Sequence, residues 1–140
     1  MARLLLATAL ALSVSQANTQ PFAGTWTADF KGTTHVRLEL VTVGGALSGK
    51  ISLGDLELDE KGELKTVQSA PSTLTPIANV SVKNSVLSFT RKDGEDTDRF
   101  EMRITGPGTA DLHLVLTEAD LKELAEDGIP APKPIKLKKQ

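Results

Sequence analysis

The chain has no cysteine and no tyrosine, and only one tryptophan, four phenylalanines and two histidines in 140 residues. Without cysteine there is no disulfide framework, no thiolate metal site and no lipid-modified N-terminal cysteine. Basic residues form no stripe with interleaved aromatics, and the net charge is −2, so nucleic-acid binding is disfavoured. The one basic concentration is Lys133, Lys136, Lys138 and Lys139. It reads first as a solubilising strand edge and second as a weak contact to anionic envelope lipid. No Gly-x-Ser-x-Gly, no phosphate loop and no nucleophile with an evident base occurs, so neither catalysis nor a cofactor is expected.

Long apolar runs are missing too. The longest is Leu4 to Val14, 11 residues, well short of the roughly 20 that a spanning helix needs. It follows Arg3 and precedes the small-x-small triplet Ser15-Gln16-Ala17, the pattern of a secretory signal peptide. Residues 1–17 are therefore expected to be a leader and 18–140 a single β-barrel domain, with no integral membrane segment in the mature chain. An exported protein is implied, periplasmic or extracellular. The lack of disulfides points to a bacterial envelope more than to an animal secretion.

What the chain does have is alternation. Trp26, Ala28 and Phe30 share one parity, then Val36, Leu38 and Leu40, then Leu47, Gly49, Ile51 and Leu53. Ala78, Val80 and Val82 follow, with Leu87 and Phe89, then Phe100, Met102 and Ile104, and finally Ala110, Leu112, Leu114 and Leu116. Gly32, Gly44-Gly45, Asp59 to Gly62, Asn84-Ser85, Asp93-Gly94 and Gly106 to Gly108 supply the turns. Thr117-Glu118-Ala119-Asp120 reads as a capping box opening a helix to about Asp127, stopped by Gly128 and Pro130. Ile135 and Leu137 suggest a last strand. The expected fold is all-β: one antiparallel up-and-down barrel of about 8–10 strands with one short C-terminal helix, or alternatively a β-sandwich.

Gly24-Thr25-Trp26, opening the first strand just after Pro21-Phe22, resembles the Gly-x-Trp signature of the lipocalin and calycin superfamily. The late helix followed by a short strand resembles the lipocalin order. The resemblance implies a barrel whose Trp26 plugs one end beneath a basic side chain, here Arg103 or Lys136. It does not extend to the avidin type, whose aromatic cage one Trp and four Phe cannot build.

Two functions fit. In the first, the barrel holds a small apolar ligand such as a lipid or fatty acid, with Trp26, Phe30, Phe89, Arg91, Phe100 and Met102 as candidate binding residues. The small inward residues Ala28, Gly49, Ala78 and Ala110 would leave room, and Arg91 would meet a carboxylate at the mouth. In the second, the chain is a protein-interaction module, a periplasmic protease inhibitor or an envelope assembly partner, acting through Asn18 to Ala23 and Ser69 to Pro76. His35 and His113 have outward parity and read as solvated, which leaves no metal site in prospect. Asp93, Glu95, Asp96 and Asp98 read as a charged turn rather than a calcium loop.

Overall fold

Leu38 and Leu40 are buried while Arg37 is exposed, the mark of a strand with one wet face. The computed structural model, which describes residues 18–140, repeats this pattern around a barrel. The leader expected at 1–17 lies outside the described residues. The strands are β1 (Gly24–Phe30), β2 (Thr33–Val43), β3 (Ala46–Leu53), β4 (Leu56–Leu58), β5 (Leu64–Val67) and β6 (Thr75–Pro76). There follow β7 (Ala78–Lys83), β8 (Val86–Asp93), β9 (Asp96–Gly106), β10 (Thr109–Val115) and β11 (Ile135–Lys139). Nine of them form one antiparallel sheet, in the order β6-β3-β2-β1-β11-β10-β9-β8-β7. The remaining two, β4 and β5, make a separate hairpin.

The two edges of the large sheet are consecutive in the chain, since only Ile77 separates β6 from β7. The Ile77 amide donates to the Gly49 carbonyl at 3.0 Å. Residues 75–83 thus behave as one bent strand that joins β3 to β8 and nearly closes the barrel. Closure removes exposed edges, the usual liability of a sheet. A single curled sheet replaces the sandwich alternative.

Inside lie Leu38, Leu40, Ile51, Leu87, Phe89 and Met102, all at most 2 % exposed. Each such side chain contributes about 1.5–3 kcal/mol relative to exposure. Outside lies helix α1 (Glu118–Glu126), between β10 and β11. Its capping box forms as expected: the Asp120 amide donates to Thr117 Oγ1 at 3.0 Å, and the Thr117 amide to Asp120 Oδ2 at 3.1 Å. The helix buries no residue, and Leu121 of its apolar stripe stays exposed. None of the helices among the described residues is long and apolar enough to cross a membrane.

Parity fails at two bulges. Ala28 pairs with Val36 but Asp29 pairs with Thr34, so His35 is an extra residue and turns inward with Val36. His35 is buried, not solvated. The second bulge lies between Ala78 and Ser81, where Asn79 takes a positive φ of 53°. Ala78 is consequently exposed and Ile77 packs on the core in its place. Ser52 keeps its outward parity but is covered, donating to the Pro71 carbonyl at 2.5 Å.

Candidate binding cavity

One end of the barrel is plugged. Pro21 favours a short 3-10 turn at Gln20–Phe22, which lays the buried Phe22 over the opening. Trp26 is 1 % exposed, and its Nε1 donates to the Phe22 carbonyl at 2.9 Å. The basic side chain over the indole is Lys139, with Nζ 5.5 Å from the ring centroid. It is neither Arg103 nor Lys136, both of which are exposed.

The other end is open and holds a cavity of about 750 Å³. Its wall consists of the strand ends that converge there: Val36, Ile51, Leu53, Phe100, Leu112 and Ile135. The β4–β5 hairpin adds Leu56, Leu58 and Leu64. This hairpin leaves β3 and reaches past β2 and β1, for its turn residue Gly62 sits against Ala131 and Glu63 meets Lys133 Nζ at 3.4 Å. Asp59 Oδ1 holds the turn, accepting from the amides of Lys61 at 2.8 Å and Glu63 at 3.0 Å.

Two polar side chains border this space, His35 from β2 and Arg91 from β8. Arg91 forms an ion pair with Asp98 at 2.6 Å, lies 3.7 Å from Asp93, and sets its guanidinium 6.0 Å from the Phe100 ring centroid. Its Nε is buried with no hydrogen-bond partner. His35 likewise borders the cavity with an unpartnered, buried Nδ1. Desolvation pushes its pKa below the ordinary 6.5, offset only in part by the Asp29 carboxylate. The imidazole is accordingly neutral at pH 7.

Of the residues singled out from the sequence, Arg91 and Phe100 line the cavity. Phe89, the cross-strand partner of Phe100, stacks on it with centroids 5.3 Å apart, and both Phe89 and Met102 lie in the core. Trp26 belongs to the plugged end. Phe30 is half-buried at the end of β1, with Lys31 Nζ 5.3 Å from its ring centroid. The sequence reading missed His35, Asp29 and the hairpin leucines as lining residues. Of the two segments considered for a protein partner, the first has Phe22 buried, and the second lends Pro71, Thr73 and Thr75 to the cavity wall.

No family profile, curated protein or solved structure matches the chain.

Proposed function

We propose that the chain is an exported, lipocalin-like barrel that binds one small apolar molecule in the cavity at its open end. The observation that carries this is the combination of about 750 Å³ of largely apolar space with two buried nitrogens that lack partners. Small-molecule sites measure roughly 300–1,000 Å³ and are apolar with a few convergent polar groups. A buried polar atom without a partner costs about 1–3 kcal/mol, a cost that a ligand supplying the missing hydrogen bond removes. The plugged end makes the open end the route in and out. Lipocalin kinship rests on Gly24-Thr25-Trp26, the meander barrel and the late helix and strand, and the proposal of binding stands without it.

Nile red, a neutral lipophilic dye, tests the reading. Saturable fluorescence enhancement at micromolar protein is expected. Leu114→Trp, at the half-exposed rim of the cavity, should reduce it while leaving the thermal midpoint close to wild type. No saturable uptake by the wild-type protein overturns the proposal.

A further inference from the structure

The charges around the cavity narrow the kind of molecule it accepts. Five carboxylates line it among the described residues: Asp29, Asp55, Glu63, Asp93 and Asp98. Only three cations do: Arg91, Lys133 and Lys136. Arg91 is taken by Asp98 at 2.6 Å, and Lys133 faces Glu63 at 3.4 Å. Asp93 lies 3.7 Å from the Arg91 guanidinium, so Asp29 and Asp55 remain against Lys136. An acidic rim alone is a solvated rim. Here it surrounds an imidazole that is 1 % exposed, borders the cavity, and carries a buried nitrogen with no partner.

A carboxylate head group fits this arrangement poorly. It would leave water to face like charges; the half-buried cation, Arg91, already holds Asp98, and Lys136 is exposed to solvent. A protonated amine meets the opposite situation. Its N–H groups can donate to the neutral imidazole and to the rim carboxylates Asp29 and Asp55 without breaking the Arg91 ion pair; having no acceptor, it leaves the Arg91 Nε–H unpartnered. We propose that the cavity's ligand is a lipophilic amine, its apolar body against Phe100, Leu112 and the β4–β5 leucines and its ammonium group beside His35 and the acidic rim. This rests on the binding function proposed above and narrows the fatty-acid reading of the sequence to the opposite head group.

The decisive experiment is displacement of Nile red near neutral pH by octylamine, octanol and octanoate, which share one chain and differ in head group. The amine is protonated and the acid ionised under these conditions. Octylamine should displace the dye at a concentration about tenfold lower than octanoate, with octanol between them. Added salt should weaken the amine and leave the alcohol unchanged. The double variant Asp29→Asn, Asp55→Asn should shrink the amine-to-acid ratio to within about threefold. Octanoate equal to or better than octylamine overturns the amine assignment while dye uptake upholds the cavity. A dye that never binds saturably overturns both.

Discussion

The Lys139 side chain crosses Gly24 to bring its ammonium 5.5 Å from the centroid of the Trp26 ring. A Cβ at Gly24 would stand 2.6 Å from Lys139 Cε, and the glycine backbone has φ +131°. The glycine and the tryptophan of Gly-x-Trp are therefore joined through a third residue 115 positions later (24 to 139). Gly24→Ala should cost about 1–2 kcal/mol in urea titration, by backbone strain and a displaced lysine. Lys139→Met keeps most of the stem and removes the cation, and should cost about 0.5–1 kcal/mol. Equal losses in the two variants would show that strain at Gly24 is negligible.

Trp26 combines packing with a hydrogen bond, and the two can be separated. Trp26→Ala should lose about 3–5 kcal/mol through the space it opens. Trp26→Phe retains a ring but strands the Phe22 carbonyl, for about 1–3 kcal/mol. A loss below about 1 kcal/mol for Trp26→Ala, read from chemical denaturation, would contradict its burial.

His35 sets a pH dependence whose sign follows from its burial. Its pKa in the fold is below the ordinary 6.5, so between those two values the unfolded chain binds more protons than the folded one. Stability from this group is complete above pH 6.5 and falls as the pH drops toward the lowered pKa. Thermal melts of the wild type should decline over that interval more steeply than those of His35→Leu. Parallel declines would assign the acid sensitivity to carboxylates.

Gly54 lies where the β4–β5 hairpin leaves the barrel. A Cβ there would sit 1.9 Å from the Gln68 carbonyl oxygen, and its amide donates to the His35 carbonyl at 2.8 Å. Gly54→Ala must push the base of the hairpin apart. Hydrogen exchange should quicken at the amides of Gln68 and Ala70, which bond Asp55 and Thr34, and stay slow at Leu38 and Leu40 in the core. Uniform acceleration would mean that hairpin and barrel open as one unit.

Strand parity and turn residues made the barrel legible, and Thr117 with Asp120 marked the helix start within a residue. Alternation within its own strand placed His35 outward, and its inward turn emerges only when two strands are set side by side. If Phe30 faces Thr33 across the Lys31-Gly32 turn, regular pairing sets Ala28 opposite His35. Yet the apolar residues of the second strand are Val36, Leu38 and Leu40. Both patterns can point inward only if one residue is extra, which is the bulge observed. The cavity was not legible. Its volume depends on where Leu56 and Leu64 are carried by a hairpin that belongs to another sheet, and on the contact of Gly62 with Ala131. Alternation within a strand carries no information about either.

The ring of strands is thin at two seams, and at one of them, β1–β11, the two register pairs are extended by the Gln140 amide donating to the Thr25 carbonyl at 2.8 Å. β2 and β3 share eight register pairs, whereas β3 and β6 share two, one of them through Pro76, which has no amide to give. The barrel is thus a bracelet with a clasp. The clasp lies between Lys50 and Pro76, beside Ile51 and Thr75 of the cavity wall. A widening of that seam would open onto the cavity from the side, where the hairpin does not reach the wall's hydrogen bonds.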